Sequence, residues 1–326
     1  MDKLNELLKS KDVPRNTKEM VLSMNTDGLQ LLNDCYDVNS KFYRSVQAEI
    51  IARQFYADPK VVKNLYHYTN VEAFEKIIAS KQFLIGSIHY MNDTKEVKYV
   101  YELMESELKN LNAPEDVVSM IKRLNIELPY DTYVWSFSEN NYSQALSKYG
   151  DLALGFENSE IMRNLGEYYS RGRSTLDEYK IGNAYVFPLK VEYNLQIQLD
   201  YIKELARAWI VAHDNIKYDS PDMSEVILGI VQALYFFSLF FKNPYLRQEE
   251  EIRYIIQNIN SDSSLNPEIQ MNDKPFAVCK MTSEMLKEVI INRDNADKKT
   301  KIESLLKNHS FEGKRLVLQS FRINIL

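Results

Sequence analysis

Sixteen consecutive residues, Val226 to Phe241 (VILGIVQALYFFSLFF), constrain this chain more than any other stretch. As a helix the run is apolar around most of its circumference, so it has no polar face to offer water and must be enclosed by protein or by lipid. Crossing a bilayer takes about 20 such residues. This run is shorter, is interrupted by Gln232 and Ser238, and passes at Lys242 into polar sequence. The expectation is a helix buried inside a globular protein, with no membrane partner, and 326 residues are enough to build the core it needs.

Composition narrows the function classes. The chain is 45% hydrophobic and 26% charged with a net charge of -6, which opposes indiscriminate nucleic-acid binding but leaves a local basic groove open. Cys35 and Cys279 have no CxxC neighbour, and His67, His89, His213 and His309 form no HExxH spacing, so no metal is expected. The charged N-terminal sequence MDKLNELLKSKD lacks the apolar stretch of a signal peptide, which makes the expected location cytoplasmic.

Periodicity divides the chain at about residue 62. Residues 1–62 repeat apolar positions at helical intervals (LNELLKS, KEMVLSM, VQAEIIARQFY) and read as an N-terminal helical extension. Residues 63–326 interleave strands and helices irregularly, which predicts an α+β domain rather than a doubly wound sheet. NLYHY and FLIGSI read as strands on either side of a helix over VEAFEKIIAS, opened by the capping-box spacing Thr69-x-x-Glu72. Asn92-Asp93 opens a second helix through Met104. TYVWSFSE, DLALGF and NAYVFPLKVEY read as strands, the last marked as an edge by Pro188. A helix over 158–181 containing a polar Ser-Arg-Gly-Arg loop, helices over 196–241, and strands at QEEEIRYII and KRLVLQSFRI complete the reading.

Three segments can carry chemistry. Leu65-Tyr66-His67-Tyr68-Thr69 puts an imidazole at a strand end, ahead of a helix N-terminus that favours anions. Taken alone, the pentapeptide favours a structural histidine under its aromatic neighbours. In the second, strand alternation sends Tyr133, Trp135 and Phe137 to one face and Ser136 and Ser138 to the other, a floor for a cleft or a solvated surface. In the third, Glu249, Glu251 and Arg253 share one face of a strand and Ile252, Tyr254 and Ile256 the other. Two acids and an arginine suit acid–base or charge-stabilising work, although an EEE run is also a common solvated surface. These three segments are expected to converge, with His67, Ser136 and Glu251 around one cleft.

Taken in order, the segments resemble a large bacterial family, the domain of unknown function 2971. The matching blocks are Leu65–Thr69, Met91-Asn92-Asp93-Thr94-Lys95-Glu96, Ser136-Phe137-Ser138-Glu139, Ser143-Gln144, Tyr149-Gly150, Gly155-Phe156, Lys242 to Arg253 and Ser320-Phe321-Arg322. Ala145 stands where the family has Trp, and Leu246 where it has Phe. The succession of a His-x-Thr strand, a Ser-x-Ser strand and a Glu-x-Glu strand also resembles the ADP-ribosyltransferase superfamily. That resemblance implies an ADP-ribosyltransferase-like mixed or antiparallel sheet with surrounding helices, and NAD as substrate. His67 would hold the NAD ribose, with Tyr68, Thr69, Ser136, Ser138 and Arg253 around the pocket. Glu251 would be the catalytic acid and Glu249 would orient the acceptor, and Tyr68 or Tyr149 would stack on nicotinamide. It further implies a mono-ADP-ribosyltransferase acting on a protein or nucleic-acid acceptor, as a toxin or phage-defence effector with a neutralising partner. Two readings from other classes remain beside it: a metal-dependent nuclease or hydrolase using Glu249, Glu251 and His67, and a non-enzymatic sensor of a nucleotide or protein.

Overall fold

The computed structural model describes residues 2–90, 95–124, 132–169, 184–258, 268–271 and 274–322. Met91 to Thr94 and the Ser-Arg-Gly-Arg loop lie outside these residues. The chain divides into two compact units.

The helical unit gathers Met1–Gln54, Lys95–Leu128 and Glu192–Lys242. The N-terminal helices therefore do not stand as a separate extension. α3 (Thr26–Tyr36) and α4 (Lys41–Val46) pack on the 21-residue α10 (Leu195–Asn215). α7 (Lys95–Asn110) packs on α10 and on α11 (Pro221–Ser238), which carries the apolar run. α11 opens with Pro221 at its first turn behind the Ser220 cap, whose hydroxyl accepts from Met223 N–H. Its first turns are partly exposed, with Leu228 on the surface, and burial is nearly continuous from Ile230 to Phe241. Phe237 stacks on Phe241 at 4.9 Å. Among the described residues no helix is long and apolar enough to cross a membrane.

The second unit (Phe55–Thr94, Pro129–Val191, Asn243–Leu326) is α+β with one mixed, mostly antiparallel sheet. β1 (Asn64–Thr69) lies between β3 (Thr132–Ser138) and β4 (Leu152–Glu157), and β4 continues to β9 (Leu286–Asn292) and β10 (Arg315–Gln319). Only β9 and β10 pair in parallel among the registered strands. On the other side, β2 (Gln82–Ser87) leads to β8 (Lys274–Lys280) and β7 (Glu268–Met271). β3 is the junction. One edge runs its whole length along β6 (Glu251–Asn258), while the other meets β1 at Ser138 and β2 at Val134 and Tyr133, so the sheet forks there. β5 (Ala184–Lys190) covers the far edge of β6 with Pro188 in it, the edge position a proline requires.

Alternation then sorts the side chains. Leu65, Trp135, Phe137, Leu154, Phe156, Ile252 and Tyr254 join the main core. There they meet Phe74 and Ile78 of α6 (Val71–Ser80) and Ile161 and Leu165 of α9 (Asn158–Tyr169). Tyr66, Tyr68, Ala153 and Ile290 form a smaller cluster with Leu146 and Phe321.

Three boundaries differ from expectation. α6 is capped by Asn70, whose side chain accepts from Ala73 N–H at 2.8 Å, because Thr69 is still held in the ladder opposite Leu152. The QEEE stretch is not strand: residues Pro244–Glu249 form a 3₁₀ turn ending at Glu250 in the left-handed region (φ 46°), and β6 starts at Glu251. β7, β8, β9 and α12 (Lys299–Asn308) carry no strong periodicity in the sequence and emerge only here.

Candidate functional site

The β1–β3–β6 junction builds a polar surface from the residues whose register faces away from the main core. Tyr66 pairs with Ser138, and Ser138 pairs with Glu251, so these three lie in one row on one face. The row extends through Gly155 to Glu288. A Cβ at Gly155 would approach Glu288 Cγ to 2.7 Å and the Tyr66 ring to 3.0 Å, so glycine lets the tyrosine reach across. Tyr66 Oη then donates to Glu288 Oε1 at 3.1 Å. Loss of water and the Glu288 charge push the phenol up to about 12, which keeps it neutral.

Tyr68 fastens the loop after β3. Its hydroxyl donates to the Asn140 carbonyl and accepts from Ser143 N–H, both at 2.7 Å. Burial raises its ionisation well above the ordinary phenol range. Ser138 Oγ donates to the Glu249 carbonyl at 2.8 Å and accepts from Asn140 N–H at 3.1 Å. Ser143 Oγ reaches the Gln248 carbonyl, and Glu139 N–H the Glu250 carbonyl. Residues 139–143 and 248–250 are thereby stitched together, and between them opens a cleft of about 510 Å³ lined by Tyr66, Glu139, Asn140, Asn141, Tyr142 and Glu250.

The acids of the EEE run have three separate fates. Glu251 is 7% exposed and held as a fork by Arg253, which is fully buried (Nε–Oε1 2.9 Å, Nη2–Oε2 3.2 Å). Such a pair is well satisfied, and removing one partner would strand the other charge out of water. Glu249 is buried with its carboxylate on Lys148 Nζ at 2.9 Å, and the same ammonium lies 5.0 Å from the ring centroid of half-exposed Tyr149. Glu250 lines the cleft. Sequence reasoning missed this residue, because strand alternation sends position 250 to the apolar side. A non-glycine residue at positive φ breaks that alternation, and such strain concentrates at functional positions.

His67 does not join the others. It shares the register parity of Leu65 and so lies on the opposite face from Tyr66, Ser138 and Glu251. Its ring sits in the fork, 4.7 Å from Phe83 and 6.0 Å from Phe137, with Nδ1 on the Ser136 carbonyl at 2.9 Å. Removal from water drives its pKa down to about 4, against the opposing pull of that hydrogen bond. It is thus a neutral, half-buried imidazole on the core face of β1. The expected convergence of His67 with Ser136 and Glu251 on one cleft is not realised. The cause is alternation itself: in Tyr66-His67-Tyr68 the two tyrosines take the polar-cluster face and leave the histidine the core. Thr69 follows His67's parity, is buried, and has its carbonyl pressed against Gly150, where a Cβ would come within 2.1 Å. Ser136 registers with Arg253, on the cleft side of the sheet.

Of the expected residues, Tyr68, Ser136, Ser138, Glu249, Glu251 and Arg253 therefore gather around one junction. Tyr149 is tied to it through Lys148, and His67 and Thr69 lie on the other parity. Among the described residues no group of three or more His, Cys, Asp or Glu side chains is placed to hold a metal ion. No protein-family model, curated protein or solved structure matches the chain.

Proposed function

We propose that the cleft beside β1, β3 and β6 cleaves the nicotinamide–ribose bond of NAD and passes the ADP-ribosyl group to a nucleophile on a protein or nucleic acid. The observation that carries this reading is Glu250, an acid that a left-handed backbone position places in the lining of a tyrosine-walled cleft. As the glycosidic bond breaks, positive charge gathers at C1′ and the ring oxygen, and a preorganised carboxylate is the group that lowers this barrier. The faces of Tyr66 and Tyr142 suit a flat cationic pyridinium. The cleft volume lies within the range of small-molecule sites.

In this reading Glu250 takes the charge-stabilising role that the family pattern assigns to Glu251. Glu251 and Arg253 form the rigid floor beneath it, and Glu249, held by Lys148, keeps the turn in place. His67 has no substrate contact.

The test is nicotinamide release by wild-type protein in the presence of a cell extract as acceptor source, with and without a chelator. Glu250→Gln keeps the size and hydrogen bonding of the side chain and should cost on the order of 10²–10³ in rate. Wild-type protein that never consumes NAD ends the reading and leaves a binding module. Nucleic-acid or ester hydrolysis that stops on chelation, without NAD, favours the metal-dependent hydrolase instead.

A further inference from the structure

The helical unit holds a second cavity, about 360 Å³, whose lining includes Asn39, Lys41, Arg44, Gln54, Asp200 and Tyr201. Its chemistry differs from that of the cleft, which has carboxylates and no lysine or arginine on its walls. Here two cations face a single acid. Lys41 is bound to Glu204 at 3.0 Å. Arg44 forms no ion pair among the described residues. Its charge nevertheless reaches the Tyr201 hydroxyl, whose ionisation it favours, against the larger opposing effect of burial.

The opposite wall is stiff. The Tyr201 ring rests 5.5 Å from Phe237 and 6.1 Å from Phe241, and its hydroxyl donates to Gln54 Oε1. With that oxygen occupied, the Gln54 amide nitrogen is turned to donor duty. Asp200 Oδ1 already accepts from Gln196 at 3.1 Å, which leaves its second oxygen for another donor.

From this arrangement we infer a binding site for the phosphate monoester of a small sugar, with Arg44 and Lys41 taking the phosphate and Asp200 the sugar hydroxyls. A guanidinium matches phosphate oxygens as a two-pronged donor, and a carboxylate is the usual acceptor for hydroxyl pairs. Asp200 would repel a second phosphate close by, so a polyphosphate or a nucleic-acid backbone fits less well. The volume accommodates one such molecule. This site is independent of NAD chemistry in the cleft.

Calorimetric titration with ribose 5-phosphate, ribose and inorganic phosphate tests it. Ribose 5-phosphate should bind more tightly than either fragment, and more weakly as salt is raised. Arg44→Ala should weaken binding about tenfold or more, the loss of one charge-assisted contact, with Arg44→Lys recovering part of it. Arg44 is exposed, so the unfolding midpoint of the variant should stay at the wild-type value. Asp200→Asn should reduce the preference over inorganic phosphate while leaving phosphate binding intact. No measurable binding overturns the inference. So does binding that survives Arg44→Ala but is lost in Glu250→Gln, which would place the ligand in the cleft, or inorganic phosphate binding as tightly as the sugar phosphate.

Discussion

Acid should weaken the fold through His67, and the size of the effect follows from its surroundings. In the unfolded chain the imidazole titrates near 6.5, whereas in the fold removal from water lowers it to about 4. A histidine depressed in this way contributes stability that is fully present above the unfolded value. That stability is lost as pH falls, because the unfolded chain takes up a proton that the folded one refuses. Each unit of difference is worth about 1.4 kcal/mol, so the interval from 6.5 to about 4 corresponds to about 3–4 kcal/mol. This is a large part of the stability of an ordinary domain.

The perturbation is His67→Phe, which cannot titrate and keeps a ring among Phe83, Trp135 and Phe137. At neutral pH the variant is expected to be the less stable, because the Ser136 carbonyl loses its partner. Urea unfolding of both proteins at several values between about pH 7 and pH 4 should then show their difference shifting by about 3 kcal/mol in the variant's favour as acid is added. All other titrating groups are common to both and cancel. Imidazole resonances followed by NMR should place one histidine near the depressed value. A stability difference that stays constant across the range, or a His67 titrating at 6.5, would refute the reasoning and put the imidazole back in water, where a substrate contact is open to it.

Two further outcomes follow from the same junction. Arg253→Met takes the guanidinium fork from buried Glu251 and should cost about 3–5 kcal/mol in denaturant unfolding, whereas the pair Glu251→Leu with Arg253→Met should recover most of that loss. Gly150→Ala meets the Thr69 carbonyl at 2.1 Å and needs a φ of +148°, so it should lose more than about 3 kcal/mol, or fail to fold, on thermal denaturation.

Much of this protein could be read from its residues alone. The β1–α6–β2 succession, the alternation of β3 and the apolar helix α11 were legible, because each is a local pattern: a period of two, a period of 3.6, or an unbroken apolar run. The apolar partners of the acids, Ile252, Tyr254 and Ile256, were placed in the core by the same rule, and the core holds them. What sequence could not decide was which face of β1 meets the polar rows of its neighbours. That depends on the pairing Tyr66↔Ser138, a contact across 72 residues, and a shift of one position would have put His67 in the cleft. Nor could it reveal that the EEE run is broken by a left-handed turn, because Glu250 has no intrinsic preference for that conformation and is held there by the chain on either side. The helical unit is the clearest case. Its three segments lie far apart in sequence, and their apolar faces only identify one another once packed. Local periodicity determines an element's kind and its buried side, whereas the choice of partner and register is a tertiary matter, set by which apolar surfaces leave water together.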